Sequence, residues 1–375
     1  MARKPRKVRA DFRKNRTPRP RGGDLTRQHS ADEAAVDDAA RDERISGKGA
    51  LTRRRTVMAS DDTVEGEAIQ LDVDLSECLG GRVLRVQGLL SEVETPDGRR
   101  FRCATRRILK TLSTDLRHVV CAGDQVQFRP AGQDEGIIER IEPRHGVLSR
   151  ASKRRQQTIV ANVDQLLIVA STGEPPLKPN LVDRFLVAAE KGGIRPIIVI
   201  NKIDLVDPAD LQPLIGVYAQ MGYPVVPVSA ALGTGVPRLR RLLAGKATAL
   251  AGQSGVGKSS LLNAIEPGLA LRVSHISAET QKGRHTTTTA ELLPLPSGGY
   301  VIDPPGIRQF QLWDVVPAEV AGYFRDLRPY VSHCQFADCT HRHEEECAVK
   351  NAVADDLLDA RRYESYLAIF EGDYA

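Results

Sequence analysis

The sequence predicts a multidomain chain: an N-terminal β-barrel of OB-fold type, a central α/β domain on a parallel sheet, and a small C-terminal α region organised around a cysteine and histidine cluster. Three observations carry this. Short β-rich runs separated by turn residues occupy residues 67–147. From Val163 onward, apolar strands alternate with amphipathic helices, as in a sheet covered on both faces. Three cysteines and a histidine then fall within residues 334–347.

At 375 residues the chain exceeds what one ordinary core supports, so two or three domains are expected. With 41% hydrophobic and 27% charged residues it has the composition of a soluble globular protein. No apolar run approaches the ~18 residues that cross a bilayer, and no apolar segment follows the basic N-terminus, so a cytoplasmic protein without a membrane partner is expected. The net charge of +5 is unevenly spread. Residues 1–30 hold Arg3, Lys4, Arg6, Lys7, Arg9, Arg13, Lys14, Arg16, Arg19, Arg21 and Arg27 against Asp11 and Asp24. Such a segment has almost nothing to bury, and its charge favours a polyanion such as nucleic acid. Residues 1–66 are therefore expected to form a basic disordered extension and linker.

In the barrel region, the runs G-R-V-L-R-V-Q-G, F-R-C-A-T-R, D-Q-V-Q-F-R and G-I-I-E-R-I read as strands, and Pro96-Asp97-Gly98 reads as a hairpin turn. Arginines interleave with them, and Phe101 and Phe128 are the aromatics available to stack on bases.

The α/β domain, expected over residues 148–312, is organised around residues 247–263: an apolar strand, a glycine-rich loop and a helix start. Gly252, then Gln253-Ser254-Gly255-Val256, then Gly257-Lys258-Ser259 meet the phosphate-binding pattern G-x-x-x-x-G-K-[ST]. The glycines allow the backbone to turn its N–H groups onto phosphate at a helix N-terminus. Lys258 is placed to reach β- and γ-phosphates, and the Ser259 hydroxyl to take one Mg²⁺ position. Upstream, N-L-V-D-R-F-L-V-A-A-E-K-G-G predicts a helix with Asn180 as its cap and Gly192 or Gly193 at its end.

Ligands of such sheets bind at the carboxyl ends of the strands. After the strand P-I-I-V-I comes Asn201-Lys202-Ile203-Asp204. A carboxylate in the plane of guanine accepts from both N1–H and the N2 amine, a pattern adenine lacks, so Asp204 is the base-selecting candidate. Asn201 can brace that pocket and Lys202 can lie along the base. The next strand ends in Ser229-Ala230, where a loop N–H could meet guanine O6. After G-Y-V-I comes Asp303-Pro304-Pro305-Gly306, whose aspartate can hold Mg²⁺ through water and whose glycine N–H can meet the γ-phosphate. In ordinary G proteins the phosphate loop comes first and N-K-x-D late; here N-K-I-D and S-A precede it. The sequence therefore predicts a circularly permuted GTPase.

Between these motifs, Gly283-Arg284-His285-Thr286-Thr287-Thr288-Thr289 has no apolar period, and one of its threonines can supply a second hydroxyl to Mg²⁺. Ile307 follows Gly306, where many G proteins place the glutamine that orients water, so His285 becomes the nearest candidate for that task. The last region, 313–375, holds Cys334, Cys339, His341 and Cys347, a four-ligand set suited to one structural zinc, with His343 as the alternative imidazole. Residues 350–370 read as helices covering it.

Together, the barrel, the motif order N-K-I-D, V-S-A, G-Q-S-G-V-G-K-S, H-T-T-T, D-P-P-G and the sequence C-Q-F-A-D-C-T-H-R-H-E-E-E-C resemble the RsgA (YjeQ) family of bacterial small-ribosomal-subunit biogenesis GTPases, over about residues 67–370. The resemblance implies slow GTP hydrolysis stimulated by the small (30S) subunit during late maturation, and nucleotide-dependent binding to that subunit and its rRNA by a monomer. It carries nucleotide contacts onto residues 201–204 and 252–260, Ser260 included, the switch threonine onto Thr287, and zinc onto Cys334, Cys339, His341 and Cys347. Two departures stand out. Pro304 replaces the usual Thr or Ser of the D-x-P-G element, and the basic extension lies outside the family core.

Overall fold

The computed structural model describes residues 6–11, 54–59, 75–106, 109, 119–152, 155–269, 290–302 and 315–372. The chain divides into two compact units, Met1–Pro143 and Arg144–Ala375. In the first, β1 (Arg6–Asp11) pairs antiparallel with β2 (Arg54–Ala59), inside the segment expected to lack structure. Val8 and Ala10, like Val57 and Ala59, recur at the two-residue period of a strand, a local signal that the averaged charge of the segment hides.

Strands β3 (Leu79–Gln87), β4 (Leu90–Glu94), β5 (Arg100–Thr105), β6 (Gln125–Pro130) and β7 (Glu135–Ile141) close into a barrel in the order β3-β4-β5-β7-β6. The β4–β5 turn is the predicted one, with Gly98 at φ +83° and its N–H donated to the Thr95 carbonyl over 2.9 Å. Alternate residues face inward, so Val83, Val93, Cys103, Val126 and Ile138 form the core. Phe101 and Phe128 belong to that core too, 4% and 0% exposed with ring centroids 5.0 Å apart. This corrects the reading of them as base-stacking residues: the strand period turns them inward, away from any bound strand. Burial also pushes the Cys103 thiol up to about 12, which keeps it a protonated core residue.

The second unit opens with an unanticipated hairpin, β8 (Leu148–Ser152) with β9 (Arg155–Val160). Its sheet contains β10 (Gln165–Ser171), β11 (Arg195–Asn201), β12 (Val225–Pro227), β13 (Ala247–Ala251), β14 (Leu292–Pro294) and β15 (Tyr300–Ile302), ordered β12-β11-β10-β13-β15-β14. All neighbours are parallel except β14 with β15. Every residue of β10 is buried, as a central strand covered on both faces requires. The strands preceding β13 in sequence lie on one side of it and those following lie on the other. Cutting and rejoining the chain therefore leaves the sheet intact.

Helices α1 (Pro179–Lys191), α2 (Gln212–Gln220), α3 (Val236–Leu243) and α4 (Lys258–Ile265) accompany this sheet. The N-cap of α1 is Lys178, not Asn180. Pro179 occupies the first helical position, where its missing N–H costs nothing, and this places Asn180 inside the first turn. The Asn180 Oδ1 instead accepts from Ser365 Oγ at 2.9 Å.

The C-terminal helices α5 (Val320–Tyr323), α6 (Arg328–Val331), α7 (Ala348–Ala354) and α8 (Ala360–Glu371) share a core with α1 that includes Val187, Val320, Phe324, Leu327, Tyr366 and Ile369. Within this interface Arg362, 3% exposed, bonds both carboxylate oxygens of Asp326 at 3.0 Å and approaches Asp183 Oδ1 to 2.5 Å. Burial opposes both charges of the Arg362–Asp183 pair, but the two carboxylates hold Arg362 charged, above its already high range. Glu190 adds ion pairs to Arg325 at 2.7 Å and Arg328 at 3.3 Å. Among the described residues, no helix is long and apolar enough to cross a membrane.

Candidate nucleotide site and metal cluster

The predicted nucleotide motifs that fall on described residues converge at the carboxyl ends of β10 to β13. The phosphate loop leaves β13 at Gly252 with φ +138°, passes Gly255 at φ +88° and enters α4 through Gly257 at φ +91°. A Cβ at Gly252 would sit 2.2 Å from the Val169 carbonyl oxygen, and one at Gly257 would sit 2.5 Å from Asn201 Nδ2. Glycine is required here twice over, by dihedral and by space. Lys258 Nζ donates to the carbonyls of Gly252 at 2.7 Å and Gln253 at 2.8 Å, which lays the ammonium along the loop. Ser259 and Ser260 follow in the first turn of α4, and Leu261, Leu262 and Ile265 anchor that helix in the core.

Asn201, the last residue of β11 and 2% exposed, ties three motifs together. Its Nδ2 donates to the Val256 carbonyl of the phosphate loop at 2.9 Å, and its Oδ1 accepts from Ala230 N at 3.2 Å. The bracing role read from sequence is therefore a side-chain bridge between loops 29 and 55 residues away in the chain. Lys202 adopts the left-handed conformation, φ +63°, and its Nζ donates to Gly255 O at 3.0 Å. This turn leads into the short 3₁₀ segment Ile203–Leu205, on which Asp204 is exposed and available to a ligand. Ser229 is 1% exposed; its N–H bonds Thr234 O at 3.0 Å and its Oγ accepts from Leu232 N at 3.1 Å, shaping the loop that presents Ala230 N. His285, Thr287, Asp303 and Gly306 lie outside the described residues.

Sequence reasoning missed the loop after β10. Thr172 Oγ1 donates to Lys202 O at 2.6 Å, and Lys202 Nζ also donates to Glu174 O at 2.5 Å. No motif marks these residues, because a threonine hydroxyl and a main-chain carbonyl do their work at any sequence spacing that the fold brings close.

In the C-terminal region, one ligand atom each from Cys334, Cys339, His341 and Cys347 lie within 4.8 Å of one another. Cys334 Sγ and Cys347 Sγ are 3.9 Å apart, and each is 3.4 Å from His341 Nδ1. A tetrahedron with ~2.3 Å metal–sulfur and ~2.0 Å metal–nitrogen bonds has edges of about 3.5–3.8 Å, so this donor set fits a four-coordinate ion of zinc type. Of the two imidazoles, His341 is buried beside the three thiols, whereas the His343 side chain is 81% exposed and turned to Glu344. Burial lowers the His341 pKa and favours the neutral ring that a metal needs. Helix α8 fixes the loop from behind, with Tyr363 OH donating to His341 O and Tyr366 OH to Thr340 O, both at 2.7 Å.

Comparison with known proteins agrees with this geometry. The family described as RsgA GTPase matches residues 141–313. The small ribosomal subunit biogenesis GTPase RsgA of Chlorobaculum parvum is 40% identical over 309 residues, 79% of this chain and 99% of that protein. The protein of the same name from Pseudomonas aeruginosa strain UCBPP-PA14 is 40% identical over 340 residues, 88% of this chain and 96% of that one. Among solved structures, YjeQ from Thermotoga maritima superposes with a TM-score of 0.65 at 37% identity, covering 78% of this chain and 98% of that one. YloQ, described as a circularly permuted GTPase, gives a TM-score of 0.61 at 31% identity, covering 80% of this chain and 96% of that one. With its phosphate loop on a permuted sheet, a cysteine cluster in the helical region that follows, and relatives 40% identical over nearly their whole length, the chain belongs to the RsgA GTPase family and is a GTP hydrolase.

Proposed function

We propose that this GTPase acts in late maturation of the small ribosomal subunit, binding the subunit and its rRNA in a nucleotide-dependent way and hydrolysing GTP faster when bound. The observation that supports the site assignment is the Asn201 side chain, which bonds the phosphate loop at Val256 and the next loop at Ala230, joining stretches 55 and 29 residues away in the chain. In this reading the N–H groups of residues 252–260 cradle the phosphates, Lys258 neutralises β- and γ-phosphate charge, and Asp204 accepts from N1–H and the N2 amine of guanine. The Ala230 N–H, which Asn201 Oδ1 accepts at 3.2 Å, would be shared with O6 of the base, and the Lys202 stem lies along the base. Ser259 and Thr287, with Asp303 behind them, would hold Mg²⁺, which would supply neutralisation of the phosphate charge. Gly306 N senses the γ-phosphate and His285 orients the attacking water. The Cys334, Cys339, His341 and Cys347 cluster holds one zinc as a structural ion. The domain limits consistent with this are an N-terminal extension to residue 66, the barrel over 67–147, the GTPase domain over 148–312 and the zinc region over 313–375, in a cytoplasmic monomer.

The test is turnover of GTP and of ATP by the full chain, with and without purified small subunits. GTP turnover raised by subunits, with ATP turnover at background, is the expected result. Turnover indifferent to subunits removes the ribosomal role, and turnover of ATP removes the Asp204 assignment.

A further inference from the structure

The loop that follows β10 touches the guanine motif on both sides of Asp204, and nothing in the pocket described above uses it. Thr172 N donates to Asn201 O at 3.1 Å and Thr172 Oγ1 donates to Lys202 O at 2.6 Å. The same Lys202–Ile203 peptide is held at its other end, where Ile203 N donates to Val228 O at 3.2 Å. One peptide plane is thus clamped from two directions, by the loop after β10 and by the end of β12. Lys202 needs that clamp: at φ +63° it stands in the left-handed region that a non-glycine residue adopts at a cost. Beyond Asp204, Leu205 packs against the same loop so closely that a Cβ at Gly173 would come within 2.7 Å of Leu205 Cδ1. Glu174 O accepts from Lys202 Nζ at 2.5 Å, fixing the stem that faces the base.

Recognition of guanine by a carboxylate is directional. Both oxygens of Asp204 must lie in the base plane to meet N1–H and the N2 amine together, and that orientation is inherited from the Lys202–Ile203 peptide. We propose that Thr172 is a positioning residue for guanine selectivity: its hydroxyl holds the Lys202 carbonyl and so aims Asp204 at the base. This rests on Asp204 being the guanine-selecting carboxylate. Removing the hydroxyl leaves the peptide with Val228 at one end and, at the Lys202 carbonyl, only the N–H of Leu205 from within the same turn, 3.0 Å away, so the hold from the loop after β10 on that carbonyl is lost. The left-handed turn then relaxes, and the two-point contact to guanine weakens more than the one-point contact to a base lacking the N2 amine.

The experiment titrates the full-length protein with fluorescent (mant) derivatives of GDP, IDP and ADP. Wild type should bind GDP more tightly than IDP and far more tightly than ADP. Thr172→Val, which removes the hydroxyl at nearly constant volume, is expected to lower GDP affinity about tenfold, the worth of one hydrogen bond at a part-buried carbonyl, and IDP affinity by less. The GDP-to-IDP ratio therefore shrinks. Thr172→Ser, which keeps the hydroxyl, should restore both affinity and ratio. Thr172→Ala provides the same comparison should the valine disturb folding, judged by an unchanged circular dichroism melt. An equal loss for GDP and IDP, or no loss, overturns the positioning role while leaving Asp204 in place. A wild type that fails to prefer GDP over IDP and ADP overturns the Asp204 reading and this inference with it.

Discussion

Arg362 is where the C-terminal helices are most exposed to a single change. Arg362→Met keeps most of the side-chain volume and removes the guanidinium that serves Asp326 through two hydrogen bonds and Asp183 through an ion pair. Asp183 is 0% exposed, and its other bonds, from Tyr218 OH at 2.9 Å among them, leave it in apolar surroundings. Breaking a buried pair by deleting one partner costs about 3–5 kcal/mol. A second route gives the same size. Burial already pushes the Asp183 pKa up against the attraction of Arg362, and losing that attraction drives the carboxyl further toward its protonated form. Protonating at pH 7 a carboxyl whose unfolded pKa is near 4 costs about 4 kcal/mol. For a unit of this size the loss corresponds to a melting shift of about 6–20 °C.

The sign with pH follows. In the variant Asp183 no longer feels the attraction of Arg362 that opposes its burial, so its folded pKa lies higher than in wild type; the variant therefore gains stability relative to wild type as pH falls, and the gap narrows from pH 7 to pH 5. Urea unfolding at both pH values measures this. Arg362→Met with Asp183→Asn should recover part of the loss. A penalty under about 1 kcal/mol, or one that does not change with pH, would refute the account of a charge stranded in the interface.

Further outcomes are expected around the two sites. Asp204→Asn exchanges a double acceptor for a mixed group and should weaken GTP binding by about 2–3 kcal/mol while favouring xanthosine triphosphate; isothermal titration with both nucleotides decides it. Lys258→Ala and Ser259→Ala should each bring hydrolysis to background, read by phosphate release. His285→Ala is expected to leave GTP affinity nearly intact and lower turnover by about 10²-fold; normal turnover would return that histidine to the surface. Subunit binding at one fixed salt concentration should be tighter with a non-hydrolysable GTP analogue than with GDP, and Cys339→Ala should weaken that difference, because the D-P-P-G segment runs on toward the cluster within about thirty residues. Equal affinity in the two nucleotide states would end the coupling idea.

Much of this protein is determined locally and so can be read from the chain alone. The glycines at 252, 255 and 257, the N-K-I-D run after an apolar strand, and the spacing of Cys334, Cys339, His341 and Cys347 each encode chemistry within a dozen or so residues, where dihedral demand and ligand geometry leave few alternatives. The order of motifs even dictated the permutation, since a parallel sheet is indifferent to where its chain is cut. What the sequence did not determine is set by contacts distant in the chain. The interior placement of Phe101 and Phe128 follows from barrel register. The displacement of Asn180 from the cap turned on Pro179 at the first helical position, and its Ser365 partner lies 185 residues away. The burial of His341 rather than His343 depends on α8, whose Tyr363 holds the His341 carbonyl and whose Tyr366 ring lies 6.0 Å from the imidazole. The Thr172 clamp on Lys202 and the Arg362–Asp183 pair span 30 and 179 residues, so no local pattern announces them. Only tertiary packing, by deciding which polar atoms lose water and which partners stand beside them, turned those ordinary residues into structural and functional ones.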